Sequence, residues 1–204
     1  MTIFIINLGC QYAKHSIPIM EKFCKHNNIN LFILDHDIEQ NIHNKHPSWL
    51  KLFCHDLVDD DFILCWDLDL LPKKKYKLDF LDISKINLAY DSCHLKENFV
   101  FNGKFKYNCG LIGIPKSYSD FFKNIYFAHA ANSYYPSYEQ YHVNDLIYDS
   151  KIQINVIDNK YNYLYDGNEI PEYIENIHYT WKIKSNEHRI KLIEDHFNKH
   201  YENF

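Results

Sequence analysis

The sequence contains few chain-breaking residues and no long apolar segment. Only 5 glycines and 6 prolines occur in 204 residues, and there is no internal repeat and no Gly/Ser-rich linker. No apolar run approaches the ~18 residues that a membrane-spanning helix needs. The N-terminal MTIFIINLGC has no basic region, so we predict a first strand there and not a signal peptide. These absences predict one domain over residues 1–204 without a transmembrane segment.

Closely spaced cysteine pairs and an excess of basic charge are also missing. None of the six cysteines forms a C-x-x-C pair, which argues against a zinc ribbon. We therefore expect reduced thiols and a cytoplasmic protein. The formal charge of −5 argues against a nucleic-acid partner bound through a broad basic face. Aromatic residues, in contrast, make up 17% of the chain, too many for a disordered protein.

Apolar runs alternate with helical patterns along the chain. This βαβαβ order predicts an α/β fold with a mostly parallel sheet and helices on both of its faces. The last twenty residues are predicted to form an amphipathic C-terminal helix, which offers a surface for self-association. We divide the domain into residues 1–90, residues 91–184 and this helix (185–204). Strands are predicted at 3–7, 28–35, 62–71, 86–91, 107–115 and within 151–165, and helices at 16–26, 46–57, 120–131 and 138–149.

The segment DDDFILCWDLDLLPKKK combines a buried strand with two acids. Its apolar run FILCW reads as a central strand that is covered on both faces. Asp67 and Asp69 follow at positions i and i+2, so they point to the same side, at the strand end where open α/β sheets bind ligands. The strand should end near Leu71, because Pro72 has no N–H to donate to a ladder.

Two neighbouring carboxylates require a cation to offset their charge. Their oxygens are hard ligands that suit Mg²⁺ or Mn²⁺, and two acids leave coordination positions open for a diphosphate. Asp-x-Asp occurs by chance in many chains, but a buried strand rarely presents two acids without a use. We therefore interpret Asp67 and Asp69 as metal ligands.

Two other classes of protein also fit an acidic strand end. In haloacid-dehalogenase-like phosphatases an apolar strand ends in D-x-D, and the first Asp is the nucleophile. That fold expects Thr or Val after the motif and a later G-D-x-x-x-D segment, whereas here Leu70 follows and no such segment occurs. The second alternative is a non-catalytic module that binds a nucleotide sugar or a glycan. Loss of a metal ligand would distinguish such a module.

Further short segments accompany CWDLDLLP in a fixed order. They are NLGCQYAK near the start, Lys51 sixteen residues before Asp67, AYD ending at Asp91, YNCGLIGIP with Asn108 and Gly110, EQYHVN from Glu139 to Asn144, and IHYTWKIK with His178 six residues before Lys184. In this order the segments resemble the glycogenin-like group of retaining GT-A fold glycosyltransferases. The chain departs from that group at Trp181, where the group has glycine, and after Lys184, where Pro-Trp is absent.

The resemblance implies a GT-A fold and a metal-dependent transfer of a hexose with anomeric retention. The implied donor is a nucleotide sugar, namely a UDP-linked hexose, and the resemblance does not identify the acceptor. It assigns residues 1–90 to a nucleotide-binding half and residues 91–184 to a sugar and acceptor half. The implied cofactor is Mn²⁺ (or Mg²⁺), bound by Asp67, Asp69 and His178.

The resemblance also assigns roles to other residues. Tyr12 would stack on the uracil, and Lys51, on a helix that leads into the strand, would contact the donor. Removal of Lys51 is then expected to weaken donor use without lowering the melting temperature. The implied substrate-binding residues are Asn7, Leu8, Gly9, Tyr12, Lys51, Asp67, Leu68, Asn108, Gly110 and Lys184, and the implied catalytic residues are Glu139, Gln140 and Asp91.

Overall fold

The computed structural model describes residues 1–36, 46–91, 107–130, 139–180, 183 and 185–204. The strands are β1 (Thr2–Ile6), β2 (Asn30–Leu34), β3 (Phe62–Trp66), β4 (Leu70–Pro72), β5 (Ile86–Tyr90), β6 (Tyr107–Pro115), β7 (Ile154–Ile157), β8 (Tyr163–Leu164) and β9 (Asn176–His178). The α-helices are α1 (Ala13–Asn27), α2 (Cys54–Leu57), α3 (Ser119–Ala130), α4 (Glu139–Ser150) and α5 (Asn186–His200), and a 3₁₀ helix (Pro47–Phe53) leads into α2. Within these ranges, no helix is both long and apolar enough to cross a bilayer.

The main sheet has six strands in the order β2-β1-β3-β6-β5-β7. Strand β6 is antiparallel to both of its neighbours, and the other pairings are parallel. Five strands therefore run in one direction, which confirms the predicted α/β class with a mostly parallel sheet.

Apolar layers cover both faces of this sheet. Successive residues of β1 point to opposite faces, as the two-residue period of a strand requires. Phe4 packs with the 3₁₀ helix, α3 and α4, whereas Ile3 and Ile5 pack with α1. The predicted placement of helices on both faces is thus confirmed.

A second, three-stranded sheet in the order β4-β9-β8 lies under the C-terminal helix. Ile193 of α5 and Ile19 of α1 share an apolar cluster with Leu71 of β4. The buried imidazole of His196 donates from Nε2 to the carbonyl oxygen of Pro72 over 2.9 Å. The predicted C-terminal helix is confirmed. Its apolar side is in contact with the rest of the chain, and self-association stays a prediction.

Two predicted elements have different boundaries in the structure. Strand β3 ends at Trp66, a turn follows, and Leu70–Pro72 form β4, an edge strand in which a missing N–H breaks no central ladder. The helix predicted over 46–57 is a 3₁₀ helix as far as Phe53. All residues from Trp49 to Phe53 are buried, so this segment lacks the exposed face of an amphipathic α-helix.

Candidate active site

Asp67 and Asp69 lie in a turn that connects the two sheets. The backbone N–H of Asp67 donates to the carbonyl oxygen of Gly110 over 2.8 Å, which continues the pairing of β3 with β6. The chain then turns, because Leu70 N–H donates to the carbonyl oxygen of Asp67 over 3.0 Å. The indole N–H of Trp66 donates to the carbonyl oxygen of Leu70 over 2.6 Å and so links the two ends of the turn. Both acids are therefore held at the carboxyl end of β3.

His178 reaches these acids because β9 pairs with β4. Leu70 lies opposite His178 in that antiparallel ladder, and Tyr179 N–H donates to the carbonyl oxygen of Asp69 over 2.9 Å. His178 Nε2 is 3.2 Å from Asp69 Oδ1 and 3.7 Å from Asp67 Oδ2. One ligand atom from each of the three side chains lies within 4.8 Å of the others. The structure thus brings together the three predicted metal ligands.

A chain of hydrogen bonds sets the tautomer of His178. The backbone N–H of Gly110 can only donate, and it donates to Asn108 Oδ1 over 2.9 Å. The same oxygen accepts from Asn162 Nδ2 over 2.9 Å, which leaves Asn162 Oδ1 to accept from His178 Nδ1 over 2.8 Å. With its proton on Nδ1, a neutral imidazole directs the lone pair of Nε2 toward the two carboxylates. Metal-binding histidines are commonly held in this way by a second partner.

The three side chains form a donor set that suits a divalent cation. A lone pair on nitrogen that faces two carboxylates is repulsive, so a positive charge is required between them, and either a proton on Nε2 or a metal ion can provide it. Two carboxylate oxygens and one imidazole suit Mn²⁺ better than Ca²⁺, which prefers oxygen ligands alone. Asp67, Asp69 and His178 therefore fit the metal that the sequence predicts.

Gly110 makes room for the ring of His178. A β-carbon at this position would lie 2.2 Å from His178 Cε1 and 2.8 Å from Nδ1. The sequence predicts that Gly110 contacts the substrate, whereas the space above its α-carbon is filled by a metal ligand.

We expect Gly110→Ala to displace His178 and to weaken Mn²⁺ binding by about tenfold or more, because a metal ligand and its orienting partner would both move. Titration of bound Mn²⁺ by electron paramagnetic resonance measures this change. The double variant Gly110→Ala/His178→Ala removes the ring that the new methyl group meets. It should recover the melting temperature that Gly110→Ala loses while metal binding stays weak, and unchanged Mn²⁺ affinity in the single variant would contradict this role of Gly110.

Lys51 is buried and lies between two carboxylates. Its ammonium nitrogen is 2.6 Å from Asp67 Oδ1 and 3.1 Å from Glu139 Oε1, and it donates to the carbonyl oxygen of Cys109 over 2.9 Å. Burial alone would lower the pKa of Lys51, but the two carboxylates outweigh it and raise this pKa above its usual value. Lys51 is only 3% exposed. It is therefore a buried cation on a 3₁₀ helix and not a lysine on an accessible helix surface.

In each acid of the turn, one carboxylate oxygen faces His178 and the other faces a cationic side chain. Asp67 turns Oδ2 toward His178 and Oδ1 toward Lys51. Asp69 turns Oδ1 toward His178 and Oδ2 toward Arg189 of α5, whose Nη1 is 3.4 Å away. Burial would raise the pKa of Asp69, but His178, when its Nε2 carries a proton, and Arg189 lower it below its usual value. Both acids are thus held with one oxygen directed toward the metal position.

Sequence reasoning missed Arg189 and Asn162. Neither lies in a segment that resembles the family, and both reach the site only through the folded chain. One signal was present in the composition, because Arg189 is the single arginine among 22 basic residues. An arginine used once in a lysine-rich chain marks a position where a planar, forked donor is required.

Two of the predicted catalytic residues, Glu139 and Gln140, lie at the start of α4 against β6, and the third, Asp91, follows β5. Gln140 accepts from Cys109 N–H over 3.1 Å and donates from Nε2 to Asp91 Oδ2 over 3.3 Å. Asn144 donates from Nδ2 to the carbonyl oxygen of Tyr107 over 2.9 Å and fixes the helix against the strand. Glu139 is buried, and within the described part of the chain its Oε2 has no hydrogen-bond partner. The structure thus places Gln140 beside Asp91, and Glu139 beside Lys51.

The first loop follows β1 at the same end of the sheet. Asn7 N–H donates to the carbonyl oxygen of Leu34 over 2.8 Å. Gly9 has φ +76°, a left-handed conformation that favours glycine. Tyr12 caps α1, and burial, followed by the charge of Asp69, raises its pKa. The loop therefore lies close enough to the paired acids for their charges to interact.

Three other predicted substrate contacts differ in their surroundings. Leu8 packs against the apolar layer that contains the 3₁₀ helix, and the side chain of Leu68 is buried in the layer that contains α1. Lys184 lies outside the described residues. The predicted roles of these residues stay predictions.

Comparison with known proteins supports the fold. No family model and no curated protein matches the chain. Among solved structures, a glycosyltransferase involved in the glycosylation of the major capsid of PBCV-1 superimposes with a TM-score of 0.69 at 14% identity, over 95% of this chain and 98% of that one. The glycosyltransferase GlyE of Streptococcus pneumoniae TIGR4 superimposes with a TM-score of 0.65 at 16% identity, over 98% of this chain but 63% of the longer GlyE chain. The protein therefore has a fold found in glycosyltransferases.

Proposed function

We propose that the protein is a metal-dependent glycosyltransferase that transfers a hexose from a UDP-linked donor to an acceptor. The observation that carries this proposal is the cluster of Asp67, Asp69 and His178 at the carboxyl end of β3. Its support is the shared fold of solved glycosyltransferases together with the resemblance of the motifs to the glycogenin-like group. Retention at the anomeric carbon is proposed from that resemblance.

The residues of the site divide the proposed reaction between them. A Mn²⁺ ion held by Asp67, Asp69 and His178 would stabilise the negative charge that develops on the leaving phosphate. Lys51 opposes the burial that raises the pKa of Asp67 and holds this carboxylate in position for that task. The free Oε2 of Glu139 is suited to stabilise the oxocarbenium-like sugar or to attack its anomeric carbon. Gln140, held by Asp91 and β6, would contact the sugar hydroxyls.

A panel of nucleotide sugars tests the proposed function. Each donor is incubated with the protein and Mn²⁺, and the release of nucleoside diphosphate is measured. We expect release from a UDP-hexose, since slow transfer to water can be detected even when the acceptor is unknown. If no nucleotide sugar releases its diphosphate but UDP binds with Mn²⁺, the protein is a non-catalytic nucleotide-sugar-binding module.

We expect Glu139→Gln to lower transfer by about 10²-fold or more and to leave the affinity for UDP nearly unchanged, because UDP has no sugar for Glu139 to contact. The neighbouring variant Gln140→Ala should mainly change which sugar is accepted. Initial rates with the donor panel and calorimetry with UDP measure the two effects. Full transfer by Glu139→Gln together with no transfer by Gln140→Ala would reverse the two roles.

A further inference from the structure

Lys51 cannot supply a cation to the phosphates of a donor without releasing an existing partner. An ammonium group has three N–H donors. Those of Lys51 are directed to Asp67, Glu139 and the carbonyl oxygen of Cys109. The diphosphate of a nucleotide sugar carries two negative charges, and the carboxylates of Asp67 and Asp69 already offset those of a divalent ion, so a second cation should lie near the diphosphate. Among the described residues, Arg189 is placed to be that cation.

Arg189 contacts Asp69 through Oδ2, the carboxylate oxygen that is not directed toward His178. Its Nη1 is 3.4 Å from Asp69 Oδ2, which is a long contact for a charge-assisted hydrogen bond. Its Nε is buried and has no hydrogen-bond partner among the residues that the structure describes. A guanidinium has five N–H donors arranged as a fork that matches carboxylate and phosphate oxygens. A buried N–H without a partner is unfavourable, so this part of the fork points to a ligand.

The surroundings of Arg189 also fit an anionic ligand. Its charge acts on Cys10 and Tyr12 of the first loop, where it opposes the rise in their pKa values that burial causes. Arg189 contacts Asp69, which the proposed function assigns to the metal, and its charge also acts on the first loop, which the proposed function assigns to the nucleoside. The diphosphate of a nucleotide sugar joins these two parts of the ligand.

We propose that Arg189 binds the diphosphate of the donor while its contact with Asp69 holds that ligand toward the metal. This inference rests on the proposed function and adds a residue from the C-terminal helix to the donor site. It also gives α5 a role beyond packing, since the helix fixes the position of the guanidinium through Ile193 and His196.

Calorimetry on four proteins tests the inference, namely the wild type, Arg189→Ala, Arg189→Lys and the control Lys191→Ala, which removes an exposed cation two residues along the same helix. The probes are UDP, inorganic pyrophosphate and uridine, each with saturating Mn²⁺. We expect Arg189→Ala to weaken UDP and pyrophosphate binding by about ten- to a hundredfold, as for the loss of a hydrogen bond to a charged group. Uridine binding should not change, and Arg189→Lys should recover only part of the loss.

A separate titration with Mn²⁺ alone distinguishes phosphate binding from mere orientation of Asp69. If Arg189→Ala loses as much Mn²⁺ affinity as it loses UDP affinity, Arg189 acts only on the metal ligand and the inference is wrong. Unchanged UDP and pyrophosphate affinity in Arg189→Ala would also overturn it and would leave the proposed function intact. If the wild type binds pyrophosphate but not UDP, the proposed donor is wrong, while the pyrophosphate comparison still tests Arg189.

Discussion

Asp69→Asn is expected to reduce transfer by at least about 30-fold, or about 2 kcal/mol of transition-state stabilisation, because it removes a charge that binds the metal. The same variant should lose most of its Mn²⁺ binding in an electron paramagnetic resonance titration. Asp69 presents Oδ1 to the metal position beside His178, so an amide there offers at best a neutral ligand.

The matched control for this experiment is Asp59→Asn. Asp59 is a highly exposed acid that pairs with Lys116 on the surface, far less buried than the acids of the turn. This variant should keep both transfer and Mn²⁺ binding. A normal Mn²⁺ titration for Asp69→Asn would show that the cluster is not the metal site.

Lys51→Met is expected to lower the free energy of unfolding by about 3–5 kcal/mol, because it leaves the buried carboxylate of Glu139 and the partly buried carboxylate of Asp67 without their cation. Denaturant unfolding measures this change. The expectation from the sequence, that removal of Lys51 spares the melting temperature, is thereby revised, since it assumed an accessible lysine and the side chain is buried.

Two further variants keep this prediction testable if Lys51→Met folds poorly. The double variant Lys51→Met/Glu139→Gln removes one of the two carboxylate charges that Lys51→Met leaves without a cation. It should therefore recover part of the lost stability. Lys116→Met breaks an exposed pair with Asp59 and should cost less than about 1 kcal/mol. If Lys51→Met is as stable as Lys116→Met, the buried ion pairs do not stabilise the fold.

Local sequence patterns predicted the parts of the fold that depend on local chemistry. The apolar run Phe62–Trp66 forms the strand that was predicted, because five consecutive apolar residues suit a strand covered on both faces. The predicted end of that strand, near Leu71, was wrong. Trp66 and Asp67 form hydrogen bonds within a turn, and residue spacing does not predict this turn. The strand β9 was not predicted, since its three residues carry too short a pattern.

The candidate site was predictable where chemistry follows from residue type, and not where it follows from long-range contacts. Asp67, Asp69 and His178 were predicted as a group, and the structure brings their ligand atoms together. The role of Gly110 as space for His178 requires the pairing of β9 with β4, which joins residues more than a hundred positions apart. Arg189 lies near Asp69 because apolar side chains of α5 pack against the rest of the chain, and residue spacing does not predict such packing.

Calorimetry of UDP binding, with Mn²⁺ and with EDTA in its place, tests the central claim most directly. The central claim is that Asp67, Asp69 and His178 hold a divalent ion through which the donor binds. We predict that UDP binds with Mn²⁺ and that EDTA weakens this binding by about tenfold or more. Equal UDP affinity in Mn²⁺ and in EDTA would contradict the claim.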